Sequence, residues 1–123
     1  MADIVPEQNK DKTGGITVSK YLISRLEGTG IDVVPILQGG AIMKVIDDLG
    51  QSSRLKYICP NHEQALAMMV DAYARLKGFG VGMATSGPGG LNLATGIACA
   101  YYDSIPCMFI TGQVGRFHIV GKR

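Results

Sequence analysis

The stretch LKYICPNHEQALAMMVDAYARLKGFGVGMATSGPGG, residues 55–90, decides the fold, because two strand signals flank one helix signal. The short apolar runs 55–59 and 81–85 are typical of strands that are buried on both faces. Between them, apolar side chains recur every three or four residues, as on one face of an amphipathic helix. Strand, helix and strand in this order predict two parallel strands joined by a crossover helix.

Both ends of this helix carry sequence signals. Asn61 is the predicted N-cap, and Gln64, three residues later, resembles the second half of a capping box. Gly78 and Gly80 predict the end of the helix, since glycine is favoured just past the last turn. The predicted buried stripe of the helix consists of Ala65, Met68, Met69, Ala72, Tyr73 and Leu76.

The alternation continues on both sides of this unit. Helices are predicted from Thr17 onward and over 41–49 and 91–101, and strands over 31–37 and 106–111. Pro35 weakens the first of these strands, because proline cannot donate a hydrogen bond to a ladder. The repeated order predicts an α/β fold, a three-layer α/β/α sandwich with a mainly parallel sheet, and leaves the strand order open.

The composition describes one folded domain. Of the 123 residues, 46% are hydrophobic and 18% are charged, a balance that is typical of globular proteins. Residues 1–15 are predicted to form a flexible polar tail, and residues 16–123 the domain itself. The net charge of +2 gives no reason to expect a nucleic acid or a membrane as a partner.

Cysteine usage and the N-terminus predict a cytoplasmic protein. Cys59, Cys99 and Cys107 form no Cys-x-x-Cys pair, and their apolar neighbours indicate buried, reduced thiols. Residues 1–15 lack the apolar core of a signal peptide, and no apolar run is long enough to span a membrane. Two histidines are too few for a metal cluster, so no metal ligand is predicted in this chain.

The unusual residues gather where the predicted strands end. Ligands of parallel sheets bind at the carboxyl ends of strands, which here are segments 38–40, 61–63, 86–90 and 112–113. Glu63 is the candidate acid, because a partly desolvated carboxyl that faces a crevice can exchange a proton near neutral pH. The competing interpretation is that this carboxylate only stabilises the first turn of its helix through the helix dipole.

The glycine-rich segments do not match nucleotide-binding loops. Segment 87–92 lacks the third glycine of Gly-x-Gly-x-x-Gly, and segment 115–122 is one residue too long for a P-loop. Segment 85–89 predicts either a type II turn with Gly89 at positive φ or a ledge without side chains that a ring can approach. Segment 38–40 is equally compatible with a plain strand-to-helix turn.

Seven motifs, taken in order, resemble a known family. They are QGGAI (38–42), HEQA (62–65), DAYAR (71–75), ATSGPG (84–89), Asn92 with Thr95 and Gly96, DSIP (103–106) and ITGQV (110–114). Each motif alone is weak, but seven in register make chance similarity a poor explanation. Between about residues 17 and 114, the chain resembles the N-terminal, pyrimidine-binding domain of thiamine-diphosphate enzymes of the acetolactate-synthase type.

The resemblance implies roles for individual residues. Glu63 matches the glutamate that hydrogen-bonds N1′ of the cofactor pyrimidine and so promotes removal of the thiazolium C2 proton. Pro88 and Asn92 match positions that line the pyrimidine pocket. Further cofactor-binding positions, beside the reacting centre, match Gly39, Gly40 and Gln113.

The resemblance also implies an activity, namely decarboxylation or carboligation of a 2-oxo acid by a lyase or transferase. Pro106 matches a residue near the substrate channel of the family. Gln38 stands where acetolactate synthases usually have proline, and Gly90 where they often have alanine. Because of these two departures, the chain could equally belong to a related 2-oxo-acid decarboxylase or ligase.

The resemblance implies partners that this chain does not contain. The family binds the diphosphate and Mg²⁺ through a Gly-Asp-Gly motif on a separate domain, of the same enzyme or of a partner subunit, and FAD is possible in the full enzyme. The chain has no such motif, so we expect it to be C-terminally incomplete, a fragment or one piece of a split enzyme, and inactive alone. We also expect a homo-oligomer such as a dimer, and an exposed apolar interface that makes the chain self-associate.

Two other hypotheses remain open at this point. A non-catalytic α/β interaction or regulatory module would keep the fold without using Glu63 chemically. A flavodoxin-like nucleotide or flavin binder would need phosphate-binding loops, which the glycine-rich segments fail to match.

Overall fold

The computed structural model describes residues 15–119. The predicted tail, residues 1–15, therefore lies outside the described residues except for Gly15. The helices and strands are α1 Val18–Glu27, β1 Val33–Leu37, α2 Met43–Gly50, β2 Lys56–Ile58, α3 Glu63–Lys77, β3 Gly80–Ala84, α4 Pro88–Leu91, α5 Ala94–Tyr102 and β4 Cys107–Thr111. Short 3-10 turns over Gly40–Ile42 and Arg116–His118 precede α2 and follow β4.

The four described strands form one parallel sheet in the order β2-β1-β3-β4. The predicted parallel sheet is confirmed, and the strand order is the part that the sequence leaves open. β1 pairs with β2 through residues 33–35 and with β3 through residues 36–37. Pro35 thus lies where one ladder gives way to the other, which explains how a central strand tolerates a residue without an N–H group.

Helices cover both faces of the sheet. Alternate side chains of a strand point to opposite faces, and β1 accordingly sends Val34 and Ile36 to one side and Leu37 to the other. On the first side, a core cluster joins β1 and β3 to α1 and α2. On the second side, a core cluster joins the sheet to α3 and to Leu93 at the start of α5. The predicted three-layer α/β/α sandwich is therefore confirmed.

The details of α3 differ from the prediction. The N-cap is His62, whose Nδ1 accepts a hydrogen bond from the Gln64 N–H at 3.0 Å, and not Asn61. Apart from two acids, the buried face consists of Leu66, Ala67, Val70 and Ala74, whereas the predicted Ala65, Ala72 and Leu76 are exposed. The helix is apolar on most sides, so periodicity could not identify the face that meets the sheet.

The cysteine prediction was partly wrong. Cys59 is exposed at the end of β2, while Cys99 and Cys107 are half-buried, and all three are free thiols. β2 is a three-residue edge strand whose side chains all face solvent, so apolar neighbours in sequence did not imply burial here. Among residues 15–119, no helix is long and apolar enough to cross a membrane.

Candidate functional site

The loops that follow β1, β3 and β4 meet at the carboxyl-terminal edge of the sheet. They enclose an open cleft of about 520 Å³. Its lining, among the described residues, consists of Gly40, Ala41, Thr85, Ser86, Gln113, Val114, Gly115 and His118. The cleft lies where the topology of a parallel sheet predicts a ligand site.

Glu63 is the first residue of α3, directly after the His62 cap. Its side chain is only 8% exposed, although carboxylates are seldom buried without a partner. The helix dipole favours a negative charge at this position, so the helix stabilises the carboxylate. This electrostatic role is compatible with a chemical one, because the same position brings the carboxylate to the edge of the sheet where the loops meet.

Asn92 supplies the hydrogen-bond partner of Glu63. Its side-chain Nδ2 donates to Glu63 Oε2 at 3.1 Å. The short helix α4 positions the amide, since Asn92 caps its C-terminus and donates its own N–H to the Pro88 carbonyl at 2.9 Å. Two residues that were predicted separately, an acid and a pocket residue, are therefore in direct contact.

The backbone around Pro88 differs from the predicted type II turn. Gly87, and not Gly89, has the positive φ, with a value of 62°. Pro88 then takes the first position of α4, where its missing N–H would have no helical partner in any case. The turn prediction was wrong because the sequence Gly-Pro-Gly-Gly suits a helix start as well as a turn.

The loops after β1 and β3 pack closely against each other near the Glu63 carboxylate. A Cβ added at Gly39 would lie 2.4 Å from Thr85 Cβ, and one at Gly89 would lie 2.7 Å from Thr85 Cγ2. The same position at Gly89 lies 3.5 Å from Glu63 Oε1. Gly89 is buried and the space of its missing Cβ is taken by Thr85, so this glycine allows close packing and the ledge hypothesis stays a prediction. Thr85 lies next to both Gly39 and Gly89. In sequence it stands between the glycine-rich segments 38–40 and 87–92, and this position was the signal that could have indicated its role.

The remaining predicted site residues fall in different places. Gly40 and Gln113 line the cleft. Pro88 is exposed at the start of α4, the helix that Asn92 caps at its C-terminus. Pro106 precedes β4 and therefore lies at the opposite, amino-terminal edge of the sheet. Ser86, which falls in the predicted ligand segment 86–90 but was given no role, also lines the cleft. His118 lines it too, and no sequence signal had indicated this residue.

Two of the seven motifs meet away from this edge. The Arg75 guanidinium bonds Asp71 on its own helix, at 2.8 Å from Nε, and also bonds Asp103 at the end of α5. This arrangement fastens α3 to α5, so the motifs DAYAR and DSIP contribute to packing. The described residues contain no group of three or more His, Cys, Asp or Glu side chains that could hold a metal ion.

Comparison with known proteins agrees with this geometry. The family model described as thiamine pyrophosphate enzyme, N-terminal TPP binding domain, matches residues 16–120. The chain belongs to this family, whose cofactor, thiamine pyrophosphate, is the same molecule as thiamine diphosphate. The fold class and the suspected resemblance are thereby confirmed.

Relatives of this chain include acetolactate synthases. The chain is 45% identical over 102 residues to an acetolactate synthase of Mycobacterium bovis, a match that covers 82% of this chain and 16% of the relative. It is 44% identical over 96 residues to the chloroplastic acetolactate synthase 2 of Brassica napus, covering 77% of this chain and 15% of the relative. The chain is an acetolactate-synthase-like N-terminal domain and spans about a sixth of the length of these relatives.

Proposed function

We propose that this chain forms the pyrimidine-binding side of the active site of a thiamine-diphosphate enzyme that decarboxylates or carboligates a 2-oxo acid. The observation that carries the proposal is the nearly buried Glu63 carboxylate, held by Asn92 at the carboxyl-terminal edge of a parallel sheet. When bound, thiamine diphosphate supplies the stabilisation of a carbanion that amino-acid side chains cannot provide. The protein supplies binding, orientation and one proton relay.

In this proposal, Glu63 holds a proton at one carboxylate oxygen and exchanges it with the pyrimidine nitrogen. Asn92 occupies Oε2, so Oε1 is the atom that faces the cofactor. Oε1 makes no hydrogen bond to another described residue and lies beside the bare backbone of Gly89. This arrangement leaves one carboxyl oxygen of Glu63 to exchange a proton with the ring nitrogen of a pyrimidine, which accepts the hydrogen bond when the carboxyl holds the proton.

The neighbouring residues fix the geometry of the site. Pro88 stiffens the start of α4, from which Asn92 projects, since its ring fixes φ. Gly39 and Gly89 pack on Thr85, and this contact holds the loops after β1 and β3 together. Gly40 and Gln113 line the adjoining cleft, which we assign to the 2-oxo acid substrate.

We further propose that the diphosphate and Mg²⁺ are held by another domain, of the same enzyme or of a partner subunit in a homo-oligomer. In support, the family model describes an N-terminal domain, and the mycobacterial relative is far longer than the matched segment. The 123-residue chain alone is therefore expected to give no turnover. An FAD site, if the whole enzyme has one, would belong to those other parts.

The test is Glu63→Gln in the enzyme that contains this chain, with pyruvate as substrate. The substitution preserves shape and the Asn92 neighbour but cannot exchange a proton, so turnover should fall about 10²- to 10⁴-fold, as expected for loss of a general acid or base. Gln64→Ala, an exposed change on the same helical turn, is the matched control and should keep wild-type turnover. If Glu63→Gln retained full activity with an unchanged melting temperature, the domain would serve as a non-catalytic module.

A further inference from the structure

We infer that His118 is a specificity-determining residue that binds the carboxylate of the 2-oxo acid substrate. The inference rests on the proposed function and names a residue that matches none of the seven motifs. His118 lines the cleft together with Gly40, Ser86 and Gln113. The cleft adjoins the Glu63 site through the contacts that Thr85 makes with Gly39 and Gly89.

The loop after β4 brings His118 to the cleft. Gly112 passes so close to the first 3-10 turn that a Cβ there would lie 2.7 Å from the Ala41 carbonyl oxygen. The second 3-10 turn then folds the chain back, and the His118 N–H donates to the Gly115 carbonyl at 2.9 Å. The imidazole stays near this turn, with Nδ1 3.9 Å from the Cβ position of Gly115.

The chemistry of the cleft favours a small anion. Of the described residues that line it, His118 carries the only ionisable side chain, and the others offer hydroxyl groups and the amide of Gln113. Within residues 15–119, no side-chain hydrogen bond engages Ser86, Gln113 or His118, so their donors are available to a ligand. A hydrogen bond from an imidazole N–H to a carboxylate is charge-assisted, because the acceptor is ionised, and is stronger than a bond between neutral groups.

The kinetic test uses pyruvate and the enzyme that contains this chain. His118→Ala should raise the KM for pyruvate about 10- to 100-fold, the range for loss of a hydrogen bond to a charged group, with a much smaller change in kcat. The KM for acetaldehyde, a neutral acceptor, should stay unchanged at saturating pyruvate. His118→Gln keeps a donor and should recover part of the affinity.

The matched control is Phe117→Ala. Phe117 belongs to the same 3-10 turn but is 96% exposed and does not line the cleft. The KM of the Phe117→Ala enzyme for pyruvate should therefore equal that of the wild type. An equal rise in KM in both variants would assign the effect to the turn and overturn a specific role for the imidazole. A rise in His118→Ala that is equally large for acetaldehyde would overturn carboxylate recognition.

A second measurement does not require turnover. Within this chain the histidines are His62 and His118. In the enzyme that contains this chain, the His118 ring signals are identified by NMR as those that disappear in His118→Ala. Pyruvate should shift the His118 ring signals, and its uncharged amide, pyruvamide, should not. If turnover is lost in Glu63→Gln and normal in His118→Ala, only this inference fails. If the wild-type enzyme itself lacks turnover, the proposed function fails, and the NMR titration decides the carboxylate contact alone.

Discussion

The substitution Asn92→Ala, in the enzyme that contains this chain, isolates the contact on which the proposed site depends. The Asn92 amide donates to Glu63 Oε2 at 3.1 Å, and its removal leaves the carboxylate without this anchor. Asn92 is exposed, while the next residue, Leu93, is fully buried in the core. The variant should therefore lose the orientation of Glu63 without losing the packing of the domain.

The magnitude follows from the kind of hydrogen bond that is lost. A hydrogen bond to an ionised group contributes about 1.5–3 kcal/mol. Since roughly 1.4 kcal/mol corresponds to a factor of ten in rate, Asn92→Ala should lower kcat/KM about 10- to 100-fold. Asn92→Asp should lower it further, because it places a second carboxylate about 3 Å from the first, where like charges repel strongly.

The assay combines initial rates of carboligation from pyruvate, titration of thiamine diphosphate, and thermal unfolding. Gln51→Ala is the control, since it removes another exposed amide side chain at the C-cap of a helix, and that helix, α2, packs in a different core cluster from the buried face of α3. We expect an unfolding temperature close to that of the wild type for Gln51→Ala and a decrease for the two Asn92 variants, which should remain folded at the assay temperature. Wild-type kcat/KM and cofactor affinity in Asn92→Ala would refute the argument that this amide positions Glu63.

Three further predictions concern packing, pH and association. Gly39→Ala should destabilise the domain by about 1–3 kcal/mol and lower activity, because the new Cβ would overlap Thr85. In Gly40→Ala the new Cβ would meet no atom within 4 Å, so this control variant should keep its stability. Equal melting temperatures of the two variants in thermal unfolding would contradict this. The Tyr73 hydroxyl donates to Asp32 and lowers the pKa of that carboxyl from its usual 3.8. The difference in unfolding free energy between the wild type and Tyr73→Phe should therefore be present above pH 3.8 and shrink as the pH falls below it. An undiminished difference in thermal unfolding at acid pH would contradict this. The chain should self-associate in sedimentation experiments through exposed apolar side chains of α5, and Tyr101→Glu should weaken the association; a monomeric profile of the wild-type chain at high concentration would be evidence against it.

The order of the elements and the parallel sheet were predictable from sequence, since they depend on local periodicity and on glycine signals. The N-cap Thr17 and the left-handed Gly78 at the end of α3 both act as the sequence indicates. The buried face of α3 was not predictable, because Leu66 and Leu76 are chemically alike and only the position of the sheet separates them. Tertiary contacts decide such a choice.

The candidate site was predictable in part for a related reason. Glu63 is identifiable because an acid stands at a strand end, and family motifs add the glycines and Asn92. The direct bond between Glu63 and Asn92 joins residues 29 positions apart, and no local pattern encodes it. His118 was missed because its place in the cleft depends on a 3-10 turn after β4, which carries no periodic signal.

The most direct test of the central claim is a crystal structure of the enzyme that contains this chain with thiamine diphosphate bound. The account predicts a hydrogen bond between Glu63 Oε1 and the pyrimidine nitrogen of about 2.7–2.9 Å, the range for charge-assisted bonds between nitrogen and oxygen. It also predicts that Asn92 still donates to Oε2. A pyrimidine ring bound away from Glu63, or a carboxylate turned toward solvent in the loaded enzyme, would contradict the account.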